Sequence, residues 1–126
     1  MRNQVSVLVL LFSSGMGFAQ DAPFSESLYV TLEKVSCRTC HSSEGVASST
    51  RLQFPEPGSS LEKIESFGKS LVALVDRNNP ENSLIFRKPT GRLAHAGGAR
   101  IKPGSPEEEQ LKAYIQKLAK LPPDKV

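Results

Sequence analysis

The stretch Cys37-Arg-Thr-Cys40-His41 decides the fold expected for this chain of 126 residues. Its spacing fits the C-x-x-C-H pattern of covalent haem attachment, in which two thiols add across the porphyrin vinyl groups and the next histidine reaches the iron. These residues include both cysteines that the chain contains and one of its two histidines. The pattern predicts one covalently bound haem c, held by Cys37 and Cys40, with His41 as the proximal iron ligand.

Two other chemistries use closely spaced cysteines, and the sequence leaves both open. A redox-active C-x-x-C usually opens a helix that follows a strand, whereas here residues 25–35 have a helical pattern and residues 42–45 are typical of a loop. A structural zinc ion needs four ligands, and one conceivable set is Cys37, Cys40, His41 and His95. The export signal described below predicts an oxidising compartment, in which free thiols do not persist, and this argues against zinc.

Residues 1–19 have the pattern of a secretory signal, with a positive charge at Arg2, an apolar stretch from Val5 to Phe12, and small residues ending at Ala19. The apolar stretch is too short for a transmembrane helix. We expect cleavage after Ala19, with retention as a membrane anchor as the alternative. The remaining domain, residues 20–126, is then expected in a bacterial periplasm, because bacterial c-type cytochromes are assembled outside the cytoplasm.

Charge and composition restrict the class of partner. Loss of the signal removes one cation, so 16 basic residues become 15 against 13 acidic ones, and the net charge falls from +3 to +2. The cations are scattered among acids, which argues against a nucleic-acid partner. With 38% hydrophobic and 23% charged residues, the chain is neither disordered nor a polytopic membrane protein. We expect one soluble domain without a membrane span in the mature form.

The rest of the chain predicts an all-α fold, a small helical domain wrapped around one haem. Gly68 lies inside the second helical segment and costs roughly 1 kcal/mol relative to Ala, so either a flat group packs against it or the helix breaks there. The last helix has the clearest start, with Ser105, Pro106 and Glu108 forming a capping box. The helices are expected from an N-cap at Ser25 to Val35, from about Ser60 to Asp76, after a cap at Asn79, and from Ser105 onward.

A helical domain with C-x-x-C-H after its first helix and an amphipathic last helix resembles the class I cytochromes c. That resemblance implies packing of the first helix on the last, with Phe24, Leu28 and Leu32 against Tyr114, Ile115 and Leu118. A narrower resemblance, to planctomycete-type cytochrome c domains, is carried by Asn79-Pro-Glu-Asn-Ser-Leu-Ile85 and His95-Ala-Gly-Gly98. It implies a haem-binding domain and does not fix a substrate.

The second iron ligand must come from outside the motif. Many class I cytochromes c, which this chain resembles, take this ligand from a methionine in the loop before the last helix, whereas both methionines of this chain lie in the predicted signal. His95 lies in a long loop before the last helix, and the glycines that follow it permit close approach. We therefore predict His95 as the distal ligand. The alternative is an exposed loop histidine, with the sixth position open or filled by Lys88, Lys102 or water.

The neighbours of these ligands have weaker signals. The second ring nitrogen of His41 needs an acceptor, usually a backbone carbonyl, and the resemblance to class I cytochromes c makes the turn Phe54–Pro57 a candidate. Three cations flank the His95 loop and either pair with the haem propionates or remain solvated: Arg92, Arg100 and Lys102. Scattered lysines around this loop are expected to steer an acidic partner surface.

A six-coordinate covalent haem leaves no substrate position at the iron, so the sequence predicts an electron carrier and no catalytic residue. Its expected partners are periplasmic redox proteins, met through small and transient contacts, either as a free carrier or as a subunit of a larger oxidoreductase. The alternative is a haem-based sensor or peroxidase-like enzyme with an open sixth position. A third hypothesis is a thiol-redox or structural module without haem.

Overall fold

The computed structural model describes residues 22–125, so the predicted signal and its cleavage site after Ala19 lie outside the described residues. Within 22–125 the chain is helical and contains no strand, which confirms the all-α class. No helix in this part of the chain is long and apolar enough to cross a membrane. The α-helices are α1 (Leu28–Lys34), α2 (Leu61–Ser70), α3 (Leu84–Arg87) and α4 (Pro106–Ala119).

The start of α1 differs from the sequence prediction because its cap comes from another helix. A 3₁₀ turn, Phe24–Glu26, precedes the α-helix, which begins only at Leu28. The backbone amides of Phe24 and Ser25 donate to the carboxylate of Glu65 in α2, at 3.3 and 2.8 Å. The predicted N-cap at Ser25 is therefore wrong. A side chain some forty residues away satisfies the free amides at this end.

Helix α2 begins where the sequence predicts and ends earlier. The Ser60 side chain accepts a hydrogen bond from the Lys63 amide, as an N-cap does. The helix runs through Gly68 to Ser70, and a 3₁₀ turn, Leu71–Leu74, replaces its predicted last turn. A flat group does pack against Gly68: a Cβ placed there would lie 2.5 Å from the ring of Phe24.

The predicted third helix is divided into two short pieces. Pro80–Asn82 forms a 3₁₀ turn, and α3 begins at Leu84. Asn79 is the N-cap residue of this turn, as predicted, but its side chain makes no capping hydrogen bond. Buried Ser83 separates the pieces, and its hydroxyl accepts a hydrogen bond from the Asp76 amide at 2.9 Å. This bond replaces a helical continuation with a tertiary contact.

Helix α4 has the predicted start and packs on α1 as expected. The Ser105 hydroxyl accepts a hydrogen bond from the Glu108 amide at 3.2 Å. The Phe24 ring, just before α1, lies 5.0 Å from that of Tyr114, and Lys34, at the end of α1, pairs with Glu107 at 2.7 Å. The start of the α1 region therefore contacts the later part of α4, and the end of α1 contacts the start of α4, so the two helices are antiparallel. The fully buried apolar residues of α4 are Leu111, Ile115 and Leu118.

Five aromatic rings join three helices and one loop segment. Phe24 lies 5.8 Å from Phe67 in α2, and Phe67 lies 4.9 Å from Phe54 in the segment between α1 and α2. Tyr29 of α1 completes the group at 6.2 Å from Phe54, beside the Phe24–Tyr114 pair. Such pairs contribute about 0.5–1.5 kcal/mol each beyond their buried area. The cluster fixes the segment around Phe54 relative to α1, which carries the cysteine motif at its end.

Candidate functional site

The cysteine motif lies in a tight turn directly after α1. Ser36 adopts a left-handed conformation with φ of 63° and redirects the chain at the end of the helix. Residues Cys37–Thr39 then form a 3₁₀ turn, in which the amides of Cys40 and His41 both donate to the Cys37 carbonyl, at 3.3 and 3.1 Å. The turn thus closes the motif on itself, with the backbones of Cys40 and His41 both hydrogen-bonded to that of Cys37.

The loop after the motif packs tightly on its second cysteine. The Ala47 amide donates to the Cys40 carbonyl at 2.9 Å. A Cβ at Gly45 would lie 2.1 Å from that same carbonyl oxygen, so the close approach requires glycine. Gly45 and Ala47 thus hold the Cys40 backbone from outside the motif.

Both cysteines are unbridged and half-buried. Cys37 packs against the hydrophobic core, and burial raises the pKa of its thiol to about 11. A redox-active dithiol needs a lowered pKa, because the thiolate is the nucleophile. Burial of Cys37 therefore does not give the lowered thiol pKa that a redox-active dithiol needs.

His41 presents one ring nitrogen and has the other occupied. Its Nδ1 atom lies 3.1 Å from the Leu52 carbonyl oxygen and 3.1 Å from Thr50 Oγ1. A carbonyl only accepts, so Nδ1 carries the proton and the lone pair is on Nε2. Burial lowers the pKa of His41 and favours this neutral form. The acceptor is Leu52, two residues before the predicted turn at 54–57, so that prediction is wrong.

His95 has the same arrangement within a four-residue turn. Its Nδ1 atom lies 2.9 Å from the Gly98 carbonyl oxygen, and the Gly98 amide donates to the His95 carbonyl at 2.9 Å. Gly98 has φ of +75°, a conformation that favours glycine. A Cβ at Gly97 would lie 3.0 Å from Cε1 of the imidazole, so Gly97 packs directly on the ring. The two glycines make the turn and leave Nε2 as the available ring nitrogen.

The two imidazoles face one another across the fold, although 54 positions separate them in the sequence. Their ring centres are 6.1 Å apart and their planes differ by only 9°. A metal ion bound to one imidazole on each side, at about 2 Å per bond, places the ring centres roughly 6 Å apart. The spacing and the near-parallel planes are therefore compatible with both imidazoles binding one metal ion, and His41 and His95 are the residues that would hold a haem iron.

The loop that carries His95 is closed at its base by main-chain hydrogen bonds. Near its start, the amides of Arg92 and Leu93 donate to the Arg87 carbonyl, at 2.8 and 3.1 Å. At its end, the amides of Arg100 and Ile101 both donate to the Pro89 carbonyl, at 2.7 and 3.0 Å. These bonds fix the position of a loop that has no regular secondary structure of its own.

The cations that flank this loop have different surroundings. Arg92 pairs with buried Glu108 at 2.6 Å, so it is committed to α4 rather than free for a propionate. Arg100 donates through Nε to the Gly97 carbonyl at 2.8 Å and stays exposed. Lys88 and Lys102 are exposed and have no carboxylate within 4 Å among residues 22–125.

A zinc site does not form from the conceivable ligand set. Among the described residues, no group of three or more histidine, cysteine, aspartate or glutamate side chains is placed to hold a metal ion. Cys37, Cys40, His41 and His95 are thus not arranged as zinc ligands, although the two histidines face each other.

Comparison of this chain with protein-family models, with curated proteins and with solved structures found no match.

Proposed function

We propose that this chain is an exported monohaem c-type cytochrome that carries single electrons. The observation that supports it best is the His41–His95 pair, with ring centres 6.1 Å apart and planes 9° from parallel. Cys37 and Cys40 would hold the haem covalently, His41 would be the proximal ligand and His95 the distal one. Bound there, the haem supplies one-electron chemistry between ferric and ferrous iron.

The protein residues keep both imidazoles in their ligating form. The carbonyl of Leu52 orients His41 through Nδ1, and the carbonyl of Gly98 orients His95 in the same way. Such partners fix the tautomer and raise the basicity of the ligating nitrogen. If His41 and His95 both bound the iron, the chain would leave no iron position for a substrate, which would favour electron transfer over catalysis or gas sensing.

A basic surface next to the distal loop supports contact with an acidic redox partner. Residues 82–106 contain five cations and no carboxylate, and one of these cations, Arg92, is paired with Glu108 of α4. The closure at Pro89 brings together the two ends of the loop, so Lys88 and Arg100 lie near each other. Opposite charge on a partner speeds encounter and is screened by salt. The partner proposed here is a periplasmic redox protein with an acidic surface.

The test is the visible spectrum of protein co-expressed with cytochrome c maturation machinery, oxidised and reduced, with and without carbon monoxide. The wild type is expected to carry one covalent haem, to be low-spin, and not to bind carbon monoxide. His95→Ala is expected to become high-spin and to bind carbon monoxide. Lys88→Ala is the matched control, because it removes a nearby alternative ligand, and it should match the wild type.

Two results would contradict the proposal in different ways. Protein that matures without covalent haem refutes the cytochrome assignment. Wild-type protein that binds carbon monoxide, with no change in His95→Ala, refutes the distal ligand and favours a sensor or peroxidase-like enzyme.

A further inference from the structure

We propose that Arg38, inside the cysteine motif, is a positioning residue that sets the orientation of the His41 imidazole through the segment Leu52–Pro55. The inference rests on the proposed function, since it concerns the proximal ligand of the haem. Among the described residues, Arg38 makes no hydrogen bond to the imidazole of His41 or of His95. It acts on the backbone segment that supplies the acceptor for His41.

The guanidinium of Arg38 is held at one end by α1. Its Nε donates to Glu33 Oε1 at 2.8 Å, and its Nη2 donates to the Tyr29 hydroxyl at 2.6 Å. The Arg38 side chain is only 19% exposed, so these contacts are shielded from solvent. A planar guanidinium can satisfy several acceptors in a fixed geometry, which an ammonium cannot.

The other end of the guanidinium holds the segment after the motif. Nη1 of Arg38 donates to the Pro55 carbonyl. The guanidinium carbon also lies 5.2 Å from the centre of the Phe54 ring. Phe54 is buried, with its ring 4.9 Å from that of Phe67. One side chain therefore connects α1 to both Phe54 and Pro55.

The same segment makes two contacts with His41. The Phe54 amide donates to the His41 carbonyl at 2.8 Å, and the Leu52 carbonyl lies 3.1 Å from His41 Nδ1. The position of the Leu52 carbonyl is thus influenced by contacts two and three residues after it, at Phe54 and Pro55. Release of the Pro55 contact is expected to weaken the Nδ1–H···O bond and to lower the basicity of Nε2.

The charge-conserving variant Arg38→Lys separates position from charge. Lysine keeps the cation near Glu33 and cannot also reach Tyr29 and Pro55. We expect Arg38→Lys to retain covalent haem. The reduction potential should rise, because a weaker imidazole donor stabilises ferric iron less. The low-spin EPR signal should broaden, because the angle between the imidazole planes becomes less defined. A residue that serves stability alone would change neither the potential nor the EPR signal.

Arg51→Lys is the matched control, because Arg51 adjoins the same segment, is exposed, and within residues 22–125 its side chain donates only to the Ala73 carbonyl, at 3.4 Å. It should leave the potential and the EPR signal unchanged. Tyr29→Phe is a second, milder variant that removes one anchor of Arg38 without altering its charge. Its potential should shift in the same direction by a smaller amount.

An unchanged potential and EPR signal in haem-loaded Arg38→Lys would overturn the inference. If Arg38→Lys does not mature, Tyr29→Phe decides, and an unchanged potential there overturns it. An equal shift in Arg51→Lys would also overturn it. Wild-type protein without covalent haem, measured first, would refute the proposed function and this inference with it.

Discussion

Replacement of Gly68 by alanine tests whether the packing of α1, α2 and α4 is as tight as the structure shows. A Cβ at this position would lie 2.5 Å from Cγ of Phe24 and 2.7 Å from the hydroxyl oxygen of Tyr114. Carbon atoms in normal contact are about 3.5–4.0 Å apart. The Phe24 ring would therefore have to move by about 1 Å, and it is buried among other rings.

Two opposing effects set the sign of the change in stability. Alanine in place of glycine inside a helix stabilises by about 1 kcal/mol. Overpacking of a filled core costs about 1–3 kcal/mol. Since Gly68 is buried and the Phe24 ring has no free space to enter, we expect overpacking to prevail and Gly68→Ala to lower the free energy of unfolding by about 1 kcal/mol.

The assay is urea unfolding of the haem-loaded protein, followed by far-ultraviolet circular dichroism. Ser66→Ala is the control, because Ser66 lies exposed in the same helix and should gain only helix propensity. A smaller residue at the contact, in Phe24→Leu, should make Gly68→Ala less destabilising, with a coupling free energy of about 1 kcal/mol. A Gly68→Ala protein that is more stable by about 1 kcal/mol would refute the packing argument.

Three further predictions follow from single contacts. Gly45→Ala should lower the ratio of haem to protein absorbance after maturation, because its Cβ would lie 2.1 Å from the carbonyl oxygen of the second motif cysteine; Val46→Ala, at an exposed neighbour, should not. Ser36→Gly should raise the free energy of unfolding in urea by up to about 1 kcal/mol, because it relieves a φ of 63°; a loss of stability would contradict this. The hydrogen bond from Arg92 lowers the pKa of Glu108, so the stability it contributes is complete above the ordinary glutamate pKa of about 4.3 and is lost as the pH falls below it. Stability measured from about pH 6 to pH 3 should therefore fall less steeply in Glu108→Gln than in the wild type, and equal slopes would exclude this role.

Sequence reasoning succeeded where the signal is local. The start of α4 depends on Ser105 and Glu108, which lie three positions apart, and the structure has the predicted hydrogen bond. The C-x-x-C-H motif is also local, with five residues, and haem attachment there stays a prediction. The predicted start of α1 failed because its cap is the carboxylate of Glu65, which no local pattern connects to Phe24.

The candidate site shows the same division. The sequence predicts His41 and His95 as the histidines available to a metal. In the structure the centres of their rings are 6.1 Å apart. The hydrogen-bond acceptor of His41 Nδ1 is the Leu52 carbonyl and not one in the turn 54–57. A backbone carbonyl occurs at every residue, so the sequence cannot show which one accepts. The sequence leaves Arg92 either paired with a propionate or solvated, and in the structure it pairs with Glu108, because a buried carboxylate needs a cation. Arg38 occupies a variable position of the motif, so only its contacts in the fold show a role.

The two proposed ligands are held by different means, and this difference has a physical consequence. The environment of His41 is built from distant parts of the chain, because its acceptor Leu52 belongs to a segment anchored to the core through Phe54. His95 has its acceptor, Gly98, within its own turn, in an exposed part of the loop. A local turn costs less free energy to open than a segment tied to the core, since fewer contacts are lost. The His41 side of the proposed site is therefore the more rigid one. If an outside ligand were to reach a bound iron, we expect it to displace His95 rather than His41.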